Sequence, residues 1–514
     1  MLRIQDWASG KLAAQCVFPR LTTDKYFSDK EYKSNIEELV RDGIGGFCIF
    51  TGSAEDVGKM TSELQMLADL PLLFCADFEH GLPMRLHGGT AFPHAMALGM
   101  TGEPEFAYKI GKAIAIESKS IGIHWNLAPV CDVNSNLKNP IINIRSFAED
   151  AETVSLFSSQ FILGSQSEKV LSCAKHFPGH GDTSIDSHIA LPSLDKTIEE
   201  IETLELKPFT KAIESGVKSI MAAHLAVPAL DNSKLPASLS EKILTSLLRT
   251  EMKFEGLIVT DALDMKAISA HYTSGDSVIR CITAGANIAL MPAEPEEAIQ
   301  SMTMEAENND IVRHKLENSV RLLIEAKRWC GLLSRIPVID LEKTIYHPSH
   351  EKLALQAAIK SLRTSGRNLL PIDSEQNFVG FAVVQTDDIE PGAKFFNILS
   401  QATNNDCDFG FIDSDITDED IEILQTGIID AELIIFAYFF RARAYTGSIS
   451  LDEEFKRKLY KLVGNRPVIS LLFGNPYLIN ELKSDVFISA FSDSLPSLAA
   501  AVLELTGKKV ELDY

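Results

Sequence analysis

Eight short, almost unbroken apolar runs punctuate the first 300 or so residues: LAAQCVF (12–18), GGFCIF (45–50), PLLFCAD (71–77), HWNLAPVCD (124–132), VLSCAKHF (170–177), KSIMAAH (218–224), GLIVTD (256–261) and ANIALMP (286–292). Polar and apolar positions do not alternate in them. Each therefore reads as a strand buried on both faces, the pattern of a parallel sheet covered by helices. Between the runs lie amphipathic segments, among them 29–42, 104–120, 150–167, 197–215 and 240–252. Eight strand-then-helix units predict an α/β fold of the (β/α)8 TIM-barrel type over residues 1–310. An open doubly wound sheet is the alternative that this spacing also permits.

Residues 295–330 are helical in pattern and charged, and the periodicity then fades through GLLSRIPVIDLEKTIYHPSH. Residues 311–345 read as a helical connector. Beyond it, apolar runs at 366–371, 377–385, 432–440, 467–474 and 484–491 alternate with helical patterns at 394–403, 417–430, 452–463 and 495–507. That alternation predicts a second, smaller α/β sandwich with a mostly parallel sheet over 346–514.

Composition narrows the partners. The 514 residues carry 48 basic and 71 acidic side chains, a net charge of −23. Such a surface repels phosphate backbones and anionic headgroups, which argues against nucleic-acid and membrane-surface binding. The longest fully apolar run, Leu433 to Phe440, is far short of the roughly 20 residues needed to span a bilayer. MLRIQDWASG at the start does not read as a secretory signal. The cysteines at 16, 48, 75, 131, 173, 281, 330 and 407 form no CxxC pair and no zinc-like spacing. They read as buried, reduced thiols of a cytoplasmic protein. No GxGxxG follows an early strand, so no nicotinamide cofactor is expected, and the sequence sets no oligomeric state.

The chemistry lies where the apolar runs end. They finish in Asp77, Asp132, Lys175–His176, His224 and Asp261, and in a barrel such positions share the C-terminal face where active sites form. The alternative is that they cap loops and helices. The 175–188 stretch, KHFPGHGDTSIDSH, runs from two basic groups through a Pro/Gly loop to Asp186 and His188. A carboxylate two residues from an imidazole can hold one ring nitrogen and leave the other for proton transfer. Three histidines in this stretch also raise a metal reading, but HFPGH lacks the one-face spacing of HExxH and an evident ligand set, so no metal is expected. Asp261, ending a buried strand, suits a nucleophile. Asp264 reads as a helix cap.

KHFPGHGDTSIDSH together with LIVTDALDM (257–265) resembles glycoside hydrolase family 3, in its β-N-acetylhexosaminidase branch. The resemblance extends to Asp77-Phe-Glu79-His80-Gly-Leu82-Pro-Met-Arg85, Phe92-Pro93, Asn126-Leu-Ala-Pro-Val-Cys-Asp132 and Arg145-Ser-Phe, so that it covers about residues 10–295. Phe473-Gly-Asn-Pro-Tyr477 is similar to the second domain of the longer members. The resemblance implies Asp261 as nucleophile of a covalent glycosyl-enzyme and His188, paired with Asp186, as general acid/base. It implies sugar binding by Asp77, Arg85, Arg145, Lys175 and His176. The expected activity is that of a retaining exo-β-N-acetylglucosaminidase acting on small peptidoglycan- or chitin-derived sugars without a cofactor. Histidine in place of the usual carboxylic acid needs little adjustment to titrate near neutrality. It also leaves no anion behind on giving up its proton, which keeps phosphorolysis open beside β-glucosidase activity. A catalytically silent sugar-binding protein is the reading from another class.

The family's Asp-Gln-Glu-Gly-Gly-Arg run is altered, with His80 for Gly and Leu82 for Arg, beside the aspartate expected to bind the sugar. Glu79 reads as a supporting or helix-start residue and His180 as structural in its loop. His224 reads equally as a substrate contact or a satisfied strand end. The flanking Gly179 and Gly181 suggest a loop that moves on substrate binding. Arg441, Arg443 and Tyr445 read as a solvated basic loop, or as one reaching the barrel mouth.

Overall fold

The structure, a computed structural model, describes residues 3–183, 191–334, 344–373, 376–385, 388–403, 407–441 and 450–509. The chain divides into two compact units. The first comprises Met1–Thr90, Pro104–Asn136 and Ser146–His350, and the second Ala91–Glu103, Leu137–Arg145 and Glu351–Tyr514.

The first unit is a barrel. Strands β2 (Arg20–Thr22), β3 (Gly46–Thr51), β4 (Leu73–Ala76), β5 (Ile123–Asn126), β6 (Leu171–Phe177), β7 (Ser219–Ala222) and β8 (Leu257–Thr260) lie side by side in that order, all parallel. The ring closes through β1 (Val17–Phe18) and β9 (Ala289–Leu290), which pair parallel with each other. Next to β9, Ile288 bridges to Val259 of β8, and on the other side Pro19 O accepts from Cys48 N of β3 at 2.9 Å. Strands β1 and β2 are one strand interrupted at Pro19, which has no N–H for a ladder.

Strand pleating sorts the side chains. Leu73 and Cys75, Leu171 and Cys173, and Leu257 and Val259 turn into one buried cluster with Phe18, Trp125, Met221 and Leu290. The intervening Phe74, Ile220 and Ile258, equally buried, face the other way. Leu323 of helix Asp310–Trp329, with Cys330 and Leu332, completes the inner cluster. Trp125 Nε1 spends its hydrogen bond on Ser219 Oγ at 2.7 Å, which lets the indole be fully buried.

Two details differ from the sequence reading. The first apolar run is helical over its first half, as the end of helix Ser9–Gln15, because so short and mostly apolar a stretch fits a buried helix face as well as a strand. The 197–215 helix contains a wider i→i+5 turn at Ile201–Glu205, and Lys242–Glu251 is wound the same way.

The second unit holds a six-stranded sheet: β10 (Arg363–Ser365), β11 (Phe378–Val384), β12 (Phe409–Ile412), β13 (Leu433–Phe439), β14 (Val468–Leu472) and β15 (Val486–Ser489), in the order β10-β15-β14-β13-β11-β12. All neighbours are parallel except β10, which runs antiparallel to β15. Helices Glu390–Thr403 and Leu495–Thr506 supply the core on one face, and Glu453–Val463 with Ile421 the core on the other. This is an α/β sandwich. The expected strand at 366–371 is instead a turn after β10, with Gly366 at φ +77°.

Candidate active site

Each polar residue at the barrel mouth is held by the element it ends. Past β4 the chain turns through Phe78, whose N–H and C=O both bond the Asn126 side chain at 3.0 and 3.1 Å. That leaves Asp77 facing the neighbouring strands. Its Oδ2 accepts from Arg85 Nη2 at 2.7 Å and its Oδ1 from Lys175 Nζ at 2.8 Å. The same ammonium lies 2.9 Å from Glu79 Oε1. Two carboxylates and two cations thus form a neutral, largely buried cluster, in which the Lys175 side chain is 3% exposed. Burial alone would raise the Asp77 carboxyl; Lys175 and Arg85 outweigh it and hold the group far below the ordinary carboxylate range. The Arg85 guanidinium rests on the Phe50 ring at 4.1 Å.

One strand over, Asp132 is fully buried. It accepts the His180 amide at 2.7 Å and the His176 amide at 3.2 Å, and lies 2.7 Å from His176 Nδ1. Burial pushes its acidity the other way, but His176 and the amide bonds win and lower its pKa. As an ionised acceptor Asp132 fixes the His176 tautomer: Nδ1 carries the proton. Asp132, which stands in the loop past the end of β5 rather than at a strand end, is therefore the anchor of the HFPGH turn. His180 is buried with Nδ1 2.7 Å from Thr183 Oγ1. Burial pulls it down to about 4 against the raising effect of Asp132, so it is neutral at pH 7, as a structural residue would be.

At the end of β8, Asp261 N donates to Ala222 O, and its Oδ1 accepts the Ala262 amide at 2.8 Å, which orients the carboxylate. The sites converge electrostatically. The charges of Lys175, Asp77 and Asp261 all act on the thiol of Cys173, which burial pushes up to about 12; those of Asp132, His176 and Asp261 act on His180. His224 is a satisfied strand end, with Nε2 donating to Ala262 O at 3.0 Å and Nδ1 2.7 Å from Ser238 Oγ. Asp264 does not cap the following helix, whose N-cap is Met265. It pairs with Arg20 Nη2 at 2.7 Å, because that guanidinium reaches it from β2.

Of the remaining sequence candidates, Asp186 and His188 lie outside the described residues, as do Arg443 and Tyr445. Arg145 ends the short helical turn Asn143–Arg145 in the second unit, its Nη1 donating to Ile141 O at 3.1 Å. Arg441 pairs with Asp493 within that unit at 2.8 Å. Glu79 as a direct partner of Lys175 was visible in sequence only as a supporting residue. Phe50, on whose ring Arg85 rests, carried no sequence signal. Among the described residues no group of three or more His, Cys, Asp or Glu side chains is arranged to hold a metal ion.

A (β/α)8 barrel whose mouth is lined by paired carboxylates and cations suits a ligand covered in hydroxyls. The chain belongs to glycosyl hydrolase family 3: residues 14–326 match the family's N-terminal domain. A β-hexosaminidase A of Pseudoalteromonas piscicida is 35% identical over 361 residues, 64% of this chain and 60% of that protein. A β-N-acetylglucosaminidase/β-glucosidase of Cellulomonas fimi is 28% identical over 364 residues, 68% of this chain and 64% of that protein. The chain therefore spans less than two thirds of the length of these two relatives. The solved structure of a family 3 β-N-acetylglucosaminidase from Paenibacillus sp. str. FPU-7 matches with a TM-score of 0.87 at 28% identity, over 98% of this chain and 97% of that one.

Proposed function

We propose that the protein is a retaining exo-β-N-acetylglucosaminidase that removes terminal β-linked N-acetylglucosamine from small peptidoglycan- or chitin-derived sugars. The observation that carries this reading is the charge-neutral Asp77–Arg85–Lys175–Glu79 cluster in a parallel barrel whose strand β8 ends at Asp261. Asp77 accepts sugar hydroxyls, Lys175 and Arg85 donate to them, and His176, held by Asp132, presents Nε2. The Asp261 carboxylate attacks the anomeric carbon as His188, oriented by Asp186, gives its proton to the departing glycosidic oxygen. His188 then takes a proton from water, whose oxygen displaces Asp261 and restores the starting configuration. The two relatives with hexosaminidase or acetylglucosaminidase names, and the Paenibacillus structure, support the N-acetyl preference.

A β-glucosidase is the second reading, favoured by the double name of the Cellulomonas relative and by His80 and Leu82 beside Asp77. A cytoplasmic location rests on eight cysteines that all remain thiols, seven of them buried. Among the described residues no helix is long and apolar enough to cross a membrane.

The test is release of nitrophenol from the β-N-acetylglucosaminide and the β-glucoside, side by side. The reading predicts strong preference for the acetamido sugar. Equal or reversed rates would replace it with the glucosidase reading, and no turnover of either would sink both.

A further inference from the structure

At the opposite ends of the barrel strands from the candidate active site, a cavity of about 390 Å³ lies where β6, β7 and β8 begin. Leu171, Val217, Phe254 and Leu322 give it an apolar lining, and Trp329, half-buried at the end of helix Asp310–Trp329, lines it as well. Three lysines gather there, one from each of three successive loops. Lys218 and Lys253 line the cavity, and the Lys169 and Lys218 ammoniums stand 4.9 and 5.5 Å from the centre of the Trp329 ring. An ammonium has three donors, so one turned to a ring face keeps others to give. Among the described residues no carboxylate lies within ion-pair distance of any of the three ammoniums. Glu325 also lines the cavity but is engaged by Arg321 at 3.1 Å, which leaves Glu255 as the other lining carboxylate against three positive charges. On a chain of net charge −23 this is a local reversal of sign.

The lysines stand where the backbone would prefer something else. Lys169 and Lys253 each follow the C-cap residue of a helix and adopt φ of +64° and +56°. That left-handed position favours glycine. Gly216, at the matching place in the loop before β7, has φ +77°, and its loop presents Lys218 two residues later. Lysine thus occurs twice where glycine is the easier choice. The loops are also tied down. Gln166 accepts the Lys218 amide at 2.9 Å and donates to Gly216 O at 3.0 Å. Arg249 Nη1 donates to Phe254 O and Gly256 O at 2.6 and 2.8 Å. A fixed backbone reduces the ordering that binding requires, while the lysine stems let the ammoniums converge.

We propose that this face of the barrel binds a small phosphomonoester, its phosphoryl group held by Lys169, Lys218 and Lys253 and its organic body laid against the apolar lining. A phosphomonoester carries nearly two negative charges at neutral pH and three strong acceptor oxygens, one for each ammonium. A carboxylate, with a single charge and two oxygens, would leave one lysine unused. The cavity has the size of a small-molecule pocket and exceeds what a bare phosphate fills. Binding here involves none of Asp77, Lys175 and Asp261, so the inference stands apart from the glycosidase reading.

The experiment is calorimetric titration of the full chain with glucose 6-phosphate, glucose and inorganic phosphate. The proteins are wild type, Lys218→Met, Trp329→Phe and the double variant Lys169→Gly/Lys253→Gly, in which glycine keeps the left-handed turns while two ammoniums are lost. Wild type is expected to bind one glucose 6-phosphate per chain with a Kd of about 0.1 mM, and inorganic phosphate at least about 10-fold more weakly. Glucose should give no heat of binding. The double variant should bind glucose 6-phosphate at least about 10-fold more weakly than wild type, and Lys218→Met at least about 3-fold. Glucose 6-phosphate should change the tryptophan emission of wild type and leave that of Trp329→Phe unchanged, which places the ligand beside this ring. Absence of binding up to about 10 mM, an affinity unaltered in the double variant, or equal affinity for inorganic phosphate would overturn the proposal. If the double variant does not fold, wild-type affinity in Lys218→Met does so.

Discussion

Lys175→Met keeps most of the side-chain volume and deletes the ammonium between Asp77 and Glu79, 2.8 and 2.9 Å away. Two carboxylates against two cations become two against one, in a site where the Glu79 side chain is 7% exposed. Removing one partner of a buried ion pair costs about 3–5 kcal/mol, because it leaves buried negative charge in excess of what the remaining Arg85 balances. The pH dependence reverses as well. In wild type the depressed pKa of Asp77 contributes stability that is full at neutral pH and is lost as pH falls below about 4. In the variant the uncompensated carboxylate rises above its ordinary pKa, so the folded state takes up a proton that the unfolded chain does not. Its deficit is then largest at alkaline pH and shrinks on acidification. Urea unfolding should show a loss of about 3–5 kcal/mol at pH 8, smaller by about 1–2 kcal/mol at pH 5. On the same variant kcat/KM should fall by at least about 100-fold, of which one charge-assisted hydrogen bond to the sugar accounts for about 1.5–3 kcal/mol. A pH-independent loss below about 1 kcal/mol would refute the view that Lys175 compensates buried negative charge.

Asp132→Asn retains an oxygen for the His180 amide but turns an amide donor toward His176 Nδ1–H. It should cost about 1–3 kcal/mol and lower kcat/KM about 10-fold or more, measured by chemical unfolding and steady-state kinetics; values indistinguishable from wild type would contradict the anchoring role. Lys327, fully buried with Nζ 3.0 Å from Gln15 Oε1, is lowered by burial from 10.5 to about 7. The unfolded chain holds a proton that the folded one lacks between those values. Wild-type stability should therefore rise with pH from about 7 to 10.5, carrying a penalty on the order of 3–5 kcal/mol below that window. Lys327→Met should remove the slope and be more stable at pH 7, whereas an unchanged slope in denaturant titrations would place that titration elsewhere.

The barrel was legible because its strands are buried on both faces and leave continuous apolar runs, five of which become strands with ends shifted by at most two residues, while 124–132 and 286–292 shorten to Ile123–Asn126 and Ala289–Leu290. Runs that fitted either element were the ones misread, as with Ser9–Gln15, where burial rather than period decides. In the second unit β12 (Phe409–Ile412) escaped notice because it is an edge strand with one buried residue, Ile412, and no long apolar run. The candidate site was legible where one strand end supplies its own chemistry, as at Asp77, Lys175 and Asp261. Asp132 stood out as a polar end, but its work on the His176 and His180 amides depends on the neighbouring strand β6. The Arg20–Asp264 pair joins residues 244 positions apart, and no local pattern distinguishes such an aspartate from a helix cap.

The central claim, that Asp261 forms a bond to the sugar, is most directly tested by covalent trapping. A 5-fluoro-N-acetylglucosaminyl fluoride slows breakdown of a glycosyl-enzyme more than its formation, and mass spectrometry of a proteolytic digest locates the label. The account predicts one sugar added per active chain, on the peptide containing Asp261, and none in Asp261→Asn. Label on another carboxylate, or turnover of the fluoride by Asp261→Asn at the wild-type rate, would contradict it.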